Sequence, residues 1–93
     1  MNTEQIIKMV SKETKVSVID IINPTRKKEK VFARHLSMWA CRWYSNQPLQ
    51  KIAAAHNRKQ HGSVINAAIS IDNQRKNSPF INQICQNIIN QIK

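Results

Sequence analysis

The hydrophobic residues of this 93-residue chain recur at helical spacing in several segments that are separated by short polar stretches. In the first segment Thr3 is a natural N-cap, and we expect a helix from there to about Thr14. A short second helix should begin at Ser17 and continue through Ile22, where Asn23-Pro24 stops it. The first helix should bury three apolar side chains, namely Ile6, Ile7 and Val10.

A longer apolar stripe follows a basic loop that spans Thr25 to Lys30. The stripe predicts a third helix from about Glu29 to Ser45, because its members lie three to four residues apart. We interpret Trp39 and Trp43 as core residues rather than as a stacking platform for bases. The stripe consists of Phe32, Leu36, Trp39, Ala40 and Trp43.

The stretch from Leu49 to Ala67 has the pattern of a helix-turn-helix. Its first helix is short and carries small apolar side chains, and Asn57 can take the left-handed backbone that ends a helix. After a turn of three to four residues, the second helix should open with Arg58 to Ser63 and continue to Asn77. In such motifs the second helix enters the major groove of DNA.

A last helix should begin at Ser78-Pro79, because a capping residue there precedes a proline at the first helical position. The segments together predict an all-α fold of six helices and no sheet, in a single domain over residues 1–93. The chain has only one glycine, which also argues against tight hairpins. One face of the last helix is apolar, through Ile81, Ile84, Cys85, Ile88 and Ile92.

Positive charge is concentrated in one part of the chain. The formal net charge is +10, and the segment from Arg26 to Lys59 contains nine of the fifteen basic residues but only one acid, Glu29. A solvated charged face is one explanation of such a run. Because this run flanks a helix-turn-helix pattern, we instead expect a polyanionic partner.

No pattern in the sequence indicates an enzyme, a cofactor or a metal site. A P-loop requires several glycines, so we expect neither nucleotide binding nor ATP hydrolysis. The five carboxylates are dispersed, and the histidines and cysteines lack the spacing of a zinc site. We interpret Cys41 and Cys85 as small buried hydrophobes. Without a signal peptide pattern or a membrane span, a cytoplasmic protein is expected.

The motifs of this chain occur in the order found in a known family. Asn57 to Ala67 aligns with the pattern G-G-R-D-H-T-T-V-x-H-A, in which His61, Ser63, Val64 and Ala67 match or nearly match. Upstream, Val18 to Ile22 is similar to V-x-D-L-L and is followed by the basic loop. Val16 to Ala68 thereby resembles the C-terminal duplex-binding domain of the bacterial replication initiator DnaA, which has a Trp-repressor-like helix-turn-helix fold.

The resemblance implies a bacterial, nucleoid-associated protein whose partner is double-stranded DNA. The residue that resembles the family's minor-groove arginine is Arg26, where a narrow A·T-rich groove attracts a guanidinium. Three lysines of the basic loop would hold phosphates, namely Lys27, Lys28 and Lys30. The candidates for base edges or adjacent phosphates are Arg34, His35, Lys59, Gln60, His61 and Ser63, and Arg58 is a further DNA-binding candidate.

Two departures from the family pattern predict an altered sequence preference. Gln60 stands where the family has an aspartate that helps to read a cytosine, and an amide can both donate and accept, as adenine requires. Gly62 replaces a threonine that contacts a base. We therefore expect a non-enzymatic DNA-binding protein that regulates replication or transcription at initiator-like sites. It should bind as a monomer, unless the last helix pairs two copies. The alternative is a basic module that binds RNA or an acidic protein.

Overall fold

The computed structural model describes all 93 residues and contains six α-helices and no β-strand, which confirms the predicted all-α architecture. None of the helices combines the length and the apolar character needed to cross a bilayer. The helices are α1 (Thr3–Thr14), α2 (Val18–Ile22), α3 (Lys28–Tyr44), α4 (Leu49–Ala55), α5 (Gly62–Asn77) and α6 (Pro79–Ile92).

Helix α3 lies at the centre of the fold and contacts all five other helices, most extensively α5. Leu36, Trp39 and Ala40 of its predicted stripe are buried, and Phe32 packs partly buried against the same core. Trp39 also donates its indole N–H to the Asp72 carboxylate at 2.8 Å, so its polar edge is satisfied. The contact between α3 and α5 therefore fixes the direction of the second helix of the helix-turn-helix.

The interpretation of Trp43 as a core residue is wrong. Its side chain is 52% exposed and is not among those packed against the core, although it continues the apolar stripe into the last turn of α3. The Arg42 guanidinium lies 5.1 Å from the ring centroid, which is a cation–π distance. In the same turn Tyr44 packs against the core, so the apolar period alone does not show which of the last side chains of α3 is covered.

The cap of α1 also differs from the prediction. Asn2, not Thr3, is the N-cap, and a reciprocal capping box joins it to Gln5. Thr3 is buried and donates its hydroxyl to the Gln47 side chain at 2.6 Å, which joins α1 to the loop after α3. The predicted caps at Ser17 and Ser78 are confirmed, since both hydroxyls accept from the backbone N–H three residues later.

Helix α6 packs its apolar face inside the same domain, against α1, α3 and α5. Cys85, Ile88 and Ile89 are buried, so most of the isoleucine stripe serves the fold. Cys41 is also buried and neither thiol is in a disulfide, as expected for small core residues. Burial raises the pKa of Cys41 to about 12 and that of Cys85 to about 11, so both thiols stay neutral.

Candidate nucleic-acid interface

The turn of the helix-turn-helix has six residues, His56 to His61, rather than the predicted three to four. The end of α4 explains the length. Asn57 has a φ of 56°, as predicted, and its N–H donates to the Ala54 carbonyl, while the Arg58 N–H donates to the Ala53 carbonyl at 2.8 Å. This pair of bonds is a Schellman motif, which reverses the chain and sends Arg58 toward α3.

Helix α5 begins at Gly62, so Arg58 to His61 precede the helix and do not form its first turn as predicted. The two residues before it already have helix-like bonds, because the Gln60 carbonyl accepts from Ser63 N–H at 3.2 Å and the His61 carbonyl accepts from Val64 N–H at 3.0 Å. No side chain caps α5. Gln60 and His61 therefore project from the exposed end of this helix.

His56 is a fully buried polar residue beneath the turn. Its Nδ1 lies 2.8 Å from the Ile52 carbonyl, which can only accept, so Nδ1 carries the proton and Nε2 accepts from the Ser37 hydroxyl at 2.7 Å. Burial lowers the pKa of His56, with smaller contributions from Arg34 and Arg58. The neutral ring thus fixes α4 to α3. This role could not be predicted from the sequence, because no periodic signal marks a single histidine after a helix.

Arg34 was expected to contact a base or a phosphate, but its side chain is buried inside the protein. Only 4% of its surface is exposed, and its guanidinium donates to the carbonyls of Ile21, Asn23 and Thr25 at 3.1–3.2 Å. Burial lowers the pKa of Arg34, and the nearby Arg58 lowers it further. Its donors satisfy the end of α2 and the loop that carries Arg26, so Arg34 positions that loop.

A second bond ties the same loop to the helix-turn-helix. The Asn57 side chain donates to the Ile22 carbonyl at 3.1 Å, from the turn after α4 to the end of α2. Together with Arg34, this contact holds the loop from Asn23 to Lys27 at a fixed place beside α5. Two parts of the chain that are about thirty residues apart therefore share one surface.

That surface contains a groove made of two adjoining cavities of about 450 and 330 Å³, which share His35 and Ser70. We call it the basic groove. No carboxylate lines it. Burial is the largest cause that lowers the pKa of His35, followed by Arg34 and Arg58. Its lining residues are Arg26, Lys28, Val31, Phe32, His35, Met38, Arg58, Ser63, Asn66, Ala67, Ser70 and Gln74.

Five of the predicted site residues therefore line one groove, while the others lie around it. Lys27, Lys59, Gln60 and His61 are exposed and do not line either cavity. Lys30 lies in the first turn of α3 and pairs with Asp20 at 3.2 Å. The residues that line the groove as predicted are Arg26, Lys28, His35, Arg58 and Ser63.

Sequence reasoning missed the part of the groove that α5 contributes beyond Ser63. Asn66, Ser70 and Gln74 line it together with Ser63. Their spacing of three to four residues is a signal that could have identified them, because a polar stripe at that period marks one helix face.

A family model described as the bacterial dnaA protein helix-turn-helix matches residues 3–71. The chain belongs to this DnaA helix-turn-helix family. It is 36% identical over 72 residues to the chromosomal replication initiator protein DnaA of Aquifex aeolicus, a match that covers 77% of this chain and 18% of that protein. The corresponding DnaA of Pelobacter propionicus is 31% identical over 88 residues, covering 95% and 20%.

DnaA of Gloeobacter violaceus is 30% identical over 90 residues, or 97% of this chain and 20% of that relative. The chain thus spans about a fifth of the length of the DnaA proteins that it matches. The family match includes α1, α2, α3 and α4 and the part of α5 from Gly62 to Ile71.

The two departures from the DnaA pattern lie at the exposed opening of α5. Gln60 is in the turn, with its side chain in solvent. Gly62 does not have a positive φ, and a Cβ added there would meet no atom within 4 Å. Packing therefore does not require glycine at this position. A threonine side chain would fit on the outer surface of α5.

Proposed function

We propose that this chain binds double-stranded DNA with a sequence preference, using the basic groove and the exposed end of α5. The observation that carries the proposal is the basic groove itself. Arg26, His35 and Arg58 come from three separate segments and meet there with hydroxyl and amide groups of α5, without a carboxylate in the lining. Hydrogen-bond donors and cations on one face are the requirements for contacts with phosphates and base edges.

The arrangement of the elements supports a defined docking mode. The exposed start of α5 would enter the major groove, as the second helix of a helix-turn-helix does. The loop that Arg34 and Asn57 hold beside it would then face the neighbouring minor groove, where Arg26 is exposed and available. Lys27, Lys28 and Lys59 would contact phosphates on either side.

The sequence preference should differ from that of the initiator's usual box. The Gln60 amide can pair with adenine, whereas an aspartate accepts from cytosine. At Gly62 no side chain is present to contact a thymine methyl or a phosphate. His61, which matches the family pattern, stays exposed between these two positions and is our main candidate for a base contact.

The relatives are named chromosomal replication initiator proteins. We propose that this chain acts at initiator-like sites, in the control of replication or of transcription. An α-helical domain without a P-loop sequence would contribute DNA binding to such a process, and not ATP hydrolysis.

A salt titration tests the class of partner. Fluorescence anisotropy with a labelled duplex should show an affinity that falls about a thousandfold between 50 and 200 mM salt if about six phosphates are contacted. Single-stranded RNA of the same length should bind more weakly at every salt concentration. Tighter binding to the RNA would favour the alternative, a basic RNA-binding module, and would overturn the proposal.

Restoring the family residues tests the sequence preference. Wild type, Gln60→Asp and Gly62→Thr should be compared on a duplex that carries an initiator box of the relatives and on a scrambled duplex of equal composition. Each substitution should raise the preference for the box, by about fivefold to tenfold for a recovered base contact. Gly62→Ala is the matched control, because it adds a Cβ without the groups that contact DNA. If no variant distinguishes the two duplexes, α5 does not read bases.

A further inference from the structure

Helix α5 has an exposed isoleucine, Ile69, that does not pack against the hydrophobic core. Ile69 is 54% exposed, and its side chain is not among those packed on the hydrophobic core. Most exposed apolar residues need no explanation. Ile69 differs because it lies on the helix that we place against DNA, two turns after Gly62.

Ile69 lies on the same face of α5 as three other residues. With about 100° of rotation per residue, Gly62, Asn66, Ile69 and Asn73 fall in a stripe about 60° wide. All except Gly62 are exposed, and Gly62 is half-buried. The stripe begins next to Gln60 and His61 and contains no acid and no cation. An uncharged surface of this kind gains little electrostatic attraction from phosphates, whereas its amide and apolar groups can meet the donors, acceptors and methyl groups of base edges.

The distances along the helix match the spacing of bases. Asn66 and Ile69 are separated by about 4.5 Å along the axis, at 1.5 Å per residue. Successive base pairs are about 3.4 Å apart. Two side chains at this separation can therefore reach neighbouring base pairs, or pairs one step further apart, on the floor of the major groove.

We propose that Asn66 and Ile69 are specificity-determining residues, which extend base recognition along α5 toward an A·T-rich part of the site. The Asn66 amide would pair with N6 and N7 of an adenine, and Ile69 would pack on the C5-methyl of a thymine. The proposal rests on the proposed function, since it requires α5 in the major groove. It adds two base pairs beyond those that Gln60, His61 and Ser63 would reach.

The chemistry of the thymine methyl gives a selective test. A duplex is first selected from a pool of 20-base-pair duplexes with a randomised centre, using the wild-type chain. Each thymine of the selected duplex is then replaced in turn by deoxyuridine, which removes only the methyl group. One of these replacements should weaken wild-type binding by about threefold to fourfold, because the complex loses the burial of one methyl group.

The same replacement is then measured with Ile69→Ala. This substitution removes the side chain from an exposed helical position, and alanine favours the helix, so the variant should fold. Ile69→Ala should bind the thymine duplex about threefold to tenfold more weakly and should no longer respond to the deoxyuridine. Ile19→Ala is the matched control, because Ile19 is also an exposed isoleucine, on α2. It should keep the full deoxyuridine effect.

Asn66 is tested in the same way with 7-deazaadenine, which lacks the N7 acceptor. At one adenine the analogue should weaken wild-type binding by about fivefold or more and should not affect Asn66→Ala, whereas an adenine read by Gln60 should stay sensitive in that variant. If no thymine loses its sensitivity in Ile69→Ala and no adenine loses its sensitivity in Asn66→Ala, this proposal is overturned but the proposed function is left. Failure of every duplex to bind would overturn both.

Discussion

Arg34 and Arg58 belong to the same basic stretch of sequence, but they lie in opposite environments. Arg34 is buried and donates to three backbone carbonyls, whereas Arg58 lines the basic groove and donates to no protein group through its side chain. The first arginine therefore holds a loop in place, and the second is available to a ligand. Charge density in a sequence therefore does not distinguish a positioning residue from a binding residue.

The same division applies to the histidines. His56 is enclosed beneath the turn with both ring nitrogens hydrogen-bonded, while His61 is exposed at the opening of α5. No buried side-chain polar atom in the structure lacks a partner. The inner polar groups are thus satisfied by the protein, and the exposed donors of the groove remain free for phosphates and bases.

The largest effect that separates the two regions is expected for Arg34→Met. The substitution leaves three carbonyls without their charged donor, so it should lower the free energy of unfolding by about 3 kcal/mol. Urea denaturation followed by circular dichroism measures this loss. Arg58→Met is the matched control and should change stability by less than about 0.5 kcal/mol. Equal losses in both variants would contradict the division into inner and outer arginines.

The second prediction concerns pH. Burial lowers the pKa of His56 and of His35 below the usual value near 6.5, so the unfolded chain binds more protons than the folded chain below that pH. Stability should therefore fall as the pH drops below about 6.5, by up to about 1.4 kcal/mol per pH unit for each histidine. Urea denaturation at pH 7.5 and pH 5.5 measures the fall.

The control for this prediction is His56→Gln, whose side chain does not titrate. The variant should be less stable than wild type at pH 7.5, because the amide cannot reproduce both bonds of the ring. Its stability should depend less on pH, since only the contribution of His35 is left. An unchanged pH dependence in His56→Gln would show that the buried ring does not cause the acid sensitivity.

The third prediction tests the outer region by affinity. Arg58→Ala should weaken duplex binding by about tenfold at moderate salt and should reduce the slope of log affinity against log salt by about 1, because one phosphate contact is lost. Fluorescence anisotropy over a range of salt concentrations gives both quantities. A tenfold loss with an unchanged slope would place Arg58 on a base edge instead of a phosphate.

The smallest expected effect distinguishes an exposed residue that contacts a phosphate from one that contacts a base. Lys27→Ala should weaken binding by about threefold on every duplex, since we assign this exposed lysine beside the groove to a phosphate. His61→Ala should instead reduce the preference for a selected duplex over a scrambled one. If both variants weaken the two duplexes equally, the assignment of His61 to a base is wrong.

The order and kind of the helices could be predicted from the sequence, because apolar spacing and caps are local signals. Ser17, Ser78-Pro79 and Asn57 marked ends that the structure confirms. The start of α5 was placed four residues early. Arg58 to Ser63 has no apolar period, and only the Schellman bonds at the end of α4 determine where the turn stops.

The candidate site could be predicted only as a set of residue types. Basic residues and the DnaA-like pattern identify the Arg26 loop and the turn before α5. They do not show which of these side chains are buried in the fold. The burial of Arg34 depends on carbonyls of α2 and of the loop after it, which are brought to α3 by the tertiary fold. The exposure of Trp43, next to the partly buried Tyr44, likewise depends on tertiary packing that the apolar period does not reveal.

The most direct test of the account is a map of the protein surface that meets duplex DNA. Amide chemical shifts of the ¹⁵N-labelled chain should be followed while a selected duplex is added at low salt. The largest changes should occur at residues 26–28, at His35 and at residues 58–70, with little change along α1 and α6. Changes concentrated on α1 or α6, or absent from α5, would contradict it.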